Sequence, residues 1–223
     1  MAKLKTLLRQ FKERDLKDFL RFLLLKEREK RKFWLDFIRS WYQKQLFISQ
    51  VTEVGSGLRV GPSENIIKLG EGGKIIVGND VTIWSPINIT ATDHIFPESI
   101  VKIGDRTRIG SSTIIRAAKK VIIGRDCLIA RSVRIYDYNG HPLNPGSYHD
   151  MKTLRNRSKT PPDEVNEINI GDNVWIGENA FIQRGVKIGD GSIVSANSVV
   201  IKDVPENTVV FGNPARVVLW LNK

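Results

Sequence analysis

An apolar residue returns at every sixth position through the C-terminal third of this 223-residue chain. Ile170, Ile176, Ile182, Ile188, Val194 and Val200 keep the interval unbroken, and Gly171, Gly177 and Gly189 directly follow three of them. Six is a multiple of the two-residue strand period, so all six side chains can point to one side; an α-helix would scatter them. A short fixed period is the mark of a stacked β-solenoid, in which each unit is one short strand plus a corner and three units close a triangular coil. Glycine is expected at the corners for backbone angles that a β-carbon forbids. The same beat runs upstream through Val77, Ile83 and Ile89, through Ile103, Ile109 and Ile115, and through Ile123, Ile129 and Ile135. Its phase shifts place small insertions after about Ile89 and Ile115 and a large one after Ile135. Ordinary sandwich strands would match such a beat only by coincidence.

Length suits one main domain with an appendage. The net charge of +11 is uneven: residues 1–46 carry 14 Lys or Arg against 6 Asp or Glu, leaving 21 against 18 elsewhere. Residues 1–48 lack Pro and Gly and read as a basic amphipathic helical segment, with Leu4, Leu7, Leu8 and Phe11, then Phe19, Leu20, Leu23 and Leu24, at three- and four-residue steps. Glu27 to Lys32 reads as an exposed turn or the polar face of a second helix, followed by Phe33, Trp34, Phe37, Trp41 and Tyr42. Two uses stand: a peripheral membrane contact through residues 1–46, or a helical hairpin packed on the solenoid end or on a partner. No nucleic-acid motif accompanies the charge, so nucleic acid is not an expected partner. No secretory signal is visible and no run is long and apolar enough to span a membrane, so the expected location is the cytoplasm, with possible attachment at the inner membrane face. The single cysteine, Cys127, cannot form an intramolecular disulfide and reads as a small packing residue.

The repeat domain is assigned to 49–205, with a long loop at 136–167, and residues 206–223 are expected to close the prism with Trp220 packed at its end. Between Ile135 and Ile168 the beat stops and the chain turns polar and turn-forming, from Asp137 through Asn139-Gly140-His141-Pro142 to Pro161-Pro162. So long a loop in a compact domain is often functional. His141 is its candidate general base, because neutral imidazole takes and returns a proton near pH 7, and Gly140 and Pro142 fix its backbone direction. His149 is a weaker candidate, and His94 lies in an earlier insertion.

The runs Ile168 to Gly177 and Gly189 to Val200, continued by Lys202-Asp203-Val204-Pro205 and Gly212-Asn213-Pro214-Ala215-Arg216, closely resemble the hexapeptide-repeat acyltransferases of left-handed parallel β-helix fold. The likeness is to the branch of galactoside, maltose and polysaccharide O-acetyltransferases. It covers about 75–218 and leaves the N-terminal segment outside. It implies a mainly β, left-handed parallel β-helix forming a homotrimer, with acetyl-coenzyme A held between subunits as acyl donor and no metal. By the same likeness His141 is the catalytic base, and Gly177, Ala196, Ser198, Lys202, Arg216 and Trp175 line the donor site. The implied chemistry is single displacement onto a carbohydrate hydroxyl, with Asp137 or a backbone carbonyl orienting the histidine. An aminosugar acceptor and a non-catalytic trimeric scaffold are the alternatives. The γ-type carbonic anhydrases share the prism but need three suitably spaced imidazoles, and the three histidines here lack that spacing. One departure bears on the acceptor: galactoside-type enzymes usually show acidic and amide residues in the coil before the loop, and here it reads Ile114-Ile115-Arg116-Ala117-Ala118-Lys119-Lys120. A simple galactoside is therefore not the expected acceptor; a polysaccharide, lipid-linked saccharide or nucleotide sugar is.

Overall fold

In a computed structural model, residues 28–91, 96–140 and 162–221 are described. Every one of the fifteen in-step residues is buried. They stack in three columns, because each strand pairs in parallel with the equivalent strand one coil away. Val77, Ile103, Ile123, Ile170 and Ile188 line the first column. Ile83, Ile109, Ile129, Ile176 and Val194 line the second. Ile89, Ile115, Ile135, Ile182 and Val200 line the third. Three parallel sheets thus enclose one apolar core, the left-handed parallel β-helix of the hexapeptide-repeat folds.

A second inward residue two positions ahead of each in-step one thickens the wall. Cys127 holds such a place, 1% exposed, beneath Val174 and above Thr107 in the neighbouring coils. Its Sγ lies 3.1 Å from the Gly171 carbonyl, and burial pushes the thiol up from its ordinary value. The packing role expected from sequence holds.

The corners are made differently from the expectation. After Ile170 the left-handed backbone falls on Asn173 (φ 55°), and after Ile123 it falls on Asp126 (φ 58°), each two residues beyond the glycine. Gly104 and Gly110 are instead required by stacking. A β-carbon on Gly104 would stand 2.6 Å from the Gly124 carbonyl, and one on Gly110 would stand 2.6 Å from Arg131 N. Real β-carbons do not approach backbone that closely, so coil spacing, not φ, demands glycine there.

The prism also runs further at both ends than the six-residue count reveals. Val54, Val60 and Ile67 build a first coil whose last step is seven residues. At the other end Val204 bridges to Ile188, and Val210 stacks on Val194 in the strand Thr208–Gly212, beyond the boundary set at 205. A helix, Arg28–Gln50, covers the first coil: Phe47 enters the core at 1% exposure, with Ile48 and Val51 beside it. Glu29 to Lys32 lies inside this helix rather than in a turn. The other end is closed less completely than expected. Ala215–Trp220 folds back antiparallel on Thr208–Gly212, which satisfies the backbone of that edge, yet Trp220 stays 65% exposed instead of packing on the prism.

Candidate active site

The third sheet consists of Ile66–Leu69, Asn88–Ala91, Ile114–Ala117, Arg134–Tyr136, Phe181–Ile182 and Val199–Val200. The long loop leaves from the end of the fourth of these strands. Asp137, the first residue past it, is fully buried. One carboxylate oxygen accepts the Ala118 N–H at 2.7 Å; the other accepts the N–H groups of Lys119 (2.8 Å) and Lys120 (2.7 Å). Its own N–H donates to the Arg116 carbonyl, and its carbonyl accepts from Asn166 on the returning chain. Asn166 in turn accepts from Gly185 of the next coil. One residue therefore pins the departing strand, the turn of the coil before and the returning segment. Burial pushes the carboxyl up from its ordinary value, while the three backbone bonds favour the charged form and pull the other way. Outside this clamp Glu167 meets Lys119 at 3.1 Å and Lys120 at 3.6 Å, and these cations hold its carboxyl below the usual range.

From the clamp the chain passes outward through Tyr138 and Asn139 to Gly140, which adopts φ 85° and has no described residue within 4 Å of where a β-carbon would stand. His141 follows directly but lies outside the described residues, as do His149 and His94. Beside this root opens a cavity of about 220 Å³ lined by Tyr136, Tyr138, Asn139, Phe181, Gln183 and Arg184. Tyr136 and Phe181 meet edge to face at 5.3 Å, and the Arg116 guanidinium sits over the Tyr136 ring at 5.0 Å. Arg184 donates to Asn139 at 3.2 Å, and Asn139 donates to Glu164 at 3.4 Å, tying both loop ends to the coil beyond. Burial raises the Tyr138 phenol above its ordinary value. Larger grooves of about 420 to 460 Å³ run along the first and second sheets, but none touches the loop root.

The residues proposed for the donor are divided by the structure. Gly177 packs under the backbone of Ala196 at the corner between the second and third sheets, where Ala196 is exposed. Ser198 lies at the same corner but is fully buried, its hydroxyl accepting the Gly212 N–H at 3.2 Å. Arg216 stands opposite Phe211 on the terminal hairpin and is exposed. These four share one edge. Trp175 lies on the outer face of the second sheet, 49% exposed between Leu128 and Ile193. Lys202 is exposed at the following corner, before Val204. Neither Lys202 nor Arg216 forms an ion pair among the described residues. No group of His, Cys, Asp and Glu suited to a metal occurs among the described residues. Sequence reading had passed over Tyr136, Tyr138, Phe181 and Arg184. Their signal was an aromatic or charged residue at outward positions on either side of the loop.

A prism of six-residue repeats with one long loop rooted beside a polar-aromatic cavity defines a hexapeptide transferase. The family description "bacterial transferase hexapeptide (six repeats)" matches residues 167–202, and "hexapeptide repeat of succinyl-transferase" matches 100–131. The chain is 34% identical over 157 residues to WbbJ of Escherichia coli (strain K12), which carries the name of a lipopolysaccharide biosynthesis O-acetyl transferase; this covers 67% of the chain and 74% of WbbJ. It is 39% identical over 102 residues to the galactoside O-acetyltransferase of the same strain, covering 46% of the chain but only 45% of that relative. A Vibrio cholerae hexapeptide-repeat acetyltransferase solved with acetyl-coenzyme A superposes with a TM-score of 0.53 at 26% identity, over 82% of this chain and 78% of that one. The protein belongs to the hexapeptide-repeat acetyltransferases.

Proposed function

We propose that the protein transfers an acetyl group from acetyl-coenzyme A to a hydroxyl of a carbohydrate acceptor, with His141 as general base. The carrying observation is the clamped loop root: Asp137 fixes the chain four residues before His141, beside a cavity with two tyrosines, a phenylalanine and two amides. Aromatic rings suit the apolar face of a sugar, and amides suit its hydroxyls. In this reading neutral His141 takes the proton of the acceptor hydroxyl as its oxygen attacks the thioester carbonyl. The carbon–sulfur bond then breaks, and the proton returns to the departing thiolate. No acyl-enzyme is needed, consistent with a buried Cys127 whose thiol is held neutral.

The donor is assigned to Gly177, Ala196, Ser198, Lys202, Arg216 and Trp175. Ser198 acts within it by fixing Gly212, while Lys202 and Arg216 meet the phosphates. A homotrimer places this edge against a neighbouring subunit. The name of WbbJ and the departure at Arg116 favour an acceptor of the envelope pathway. Phe33 and Phe37 of the helix Arg28–Gln50 are 67% and 39% exposed within a basic segment, which fits contact with an anionic lipid surface; no helix among the described residues is long and apolar enough to cross a membrane.

The test is thiol release from acetyl-coenzyme A across a panel of saccharides, nucleotide sugars and aminosugars, comparing the wild type with His141→Ala. Acceptor-dependent release cut by about 10² or more supports the base. Release confined to aminosugars moves the reading to N-acetylation, and unchanged release in the variant removes His141 from the mechanism.

A further inference from the structure

We propose that the cavity at the loop root is the acceptor subsite and that it selects a saccharide bearing a negative charge, a carboxylate or a phosphate. This rests on the acetyltransferase reading above and names the acceptor class. The outer face of the third sheet there forms a small grid. Strand register puts Arg116 directly beside Tyr136, and Arg134 between Ile114 and Phe181. The Arg116 guanidinium lies 5.0 Å from the Tyr136 ring centre, and Tyr136 and Phe181 form the aromatic floor of the cavity. Arg184 closes the far side through Asn139. Arg184 therefore lines the cavity, Arg116 lies over its Tyr136 wall, Arg134 is paired with its Phe181, and no carboxylate is among the lining residues.

Among the described residues this charge has no acidic partner within ion-pair distance. Arg106, Arg125 and Arg131 on other parts of the prism each meet an acidic side chain in a neighbouring coil, at 2.6, 2.6 and 3.0 Å. Arg116 and Arg134 meet none among the described residues, although they occupy the same regular lattice. A guanidinium stacked on a ring keeps its in-plane N–H groups free, and that planar fork matches a carboxylate or phosphate in two bonds. Phe181 and Tyr138, which also line the cavity, are left for the sugar face. Arg116 also lies in the stretch Ile114 to Lys120, where the sequence departs from the galactoside-type pattern of acidic and amide residues. A neutral sugar gains from carboxylates and amides that accept its hydroxyl protons; replacing them with arginine exchanges those acceptors for a charge-reading donor.

The proposal is tested on the full-length protein by equilibrium binding and by steady-state transfer. The probes are a glucuronate-terminated oligosaccharide, its carboxyl-reduced neutral counterpart and a hexose 1-phosphate. Wild type, Arg116→Gln and Arg116→Lys are compared, with thermal melting and coenzyme A affinity measured for each. The expected result is binding of at least one anionic probe about 10-fold or more tighter than the neutral one. Arg116→Gln erases the difference by raising Kd and KM for the anionic probe, leaving kcat and coenzyme A affinity in place, and Arg116→Lys restores part of it. Preference for the oligosaccharide identifies a carboxylate sugar, and preference for the hexose phosphate identifies a phosphate-linked one. Equal affinity for charged and neutral probes overturns the proposal, as does an unchanged preference in a folded Arg116→Gln protein. If no probe is acetylated yet charge-dependent binding through Arg116 persists, the transferase assignment fails and the subsite stands. His141-dependent acetylation of the neutral probe alone has the opposite meaning.

Discussion

The coils from Ile168 to Val200 and the loop root from Tyr136 to Asn139 are made from the same six-residue unit but solve different problems. In the regular coils most backbone groups bond the neighbouring coil, with exposed carboxylates such as Asp190 and Asp203 taking the N–H groups of Asp172 and Lys187, and each in-step side chain sits on another apolar one. At the root the six-residue beat stops for some thirty residues of sequence, and the N–H groups of Ala118, Lys119 and Lys120 take a side-chain partner instead of a strand. Asp137 supplies it, turning a buried carboxylate on three N–H groups where the regular coils carry none. The difference teaches where chemistry can sit on such a prism: at the break in the repeat, where polar groups are already buried and side chains no longer serve stacking alone.

Breaking either region tests that contrast. Ile129→Ala, in the middle of the second column and fully buried, should lower stability by about 2–5 kcal/mol in denaturant unfolding, through lost burial and a cavity that the rigid coil cannot collapse. Asp137→Ala should cost about 3 kcal/mol, since one buried and two part-buried N–H groups lose their acceptor, and it should also lower transfer activity because both loop ends come free. A loss of stability without loss of activity would separate the clamp from the site. Gly104→Ala should cost about 1–3 kcal/mol because the added carbon meets backbone of the next coil. Gly140→Ala meets no described residue and should cost about 1–2 kcal/mol, from its left-handed φ. Melting temperatures that reverse this order would refute the stacking account of the corner glycines.

The smallest effect is on the pH dependence of stability. Asp126 and Asp172 are held below the usual carboxylate range by hydrogen bonds from Arg106 and Arg125. A depressed folded value stabilises the protein above the unfolded value and is lost as pH falls through the folded one. Both pairs are exposed, so screening by solvent keeps the contribution small. Asp126→Asn and Asp172→Asn should therefore lower the melting temperature slightly at pH 7, and the difference from wild type should vanish as pH falls below about 4, which flattens the acid limb.

How much of this was legible follows from the kind of interaction involved. The prism, its three columns, the place of Cys127 and the helical cover were written in period and polarity, because burial of one apolar face every six residues is a local rule repeated. The first coil fell inside the assigned domain, yet its residues were not picked out, because the step from Val60 to Ile67 breaks the count. The corner glycines were found but misread, since the space above a residue belongs to another coil. Trp220 was placed wrongly because apolar character says that a side chain gains from burial, not that a surface is present to bury it.

Sequence by itself determined the repeat, the position of the long loop and the family likeness that points to His141. Only the tertiary structure decided that Asp137 ties the loop's two ends to the coil below, that Ser198 faces Gly212 rather than the surface, and that Arg116 lies on Tyr136. Those pairs are separated by 14 to 20 positions along the chain. What brings them together is the stacking of one coil on the next, and that proximity has no trace in local periodicity.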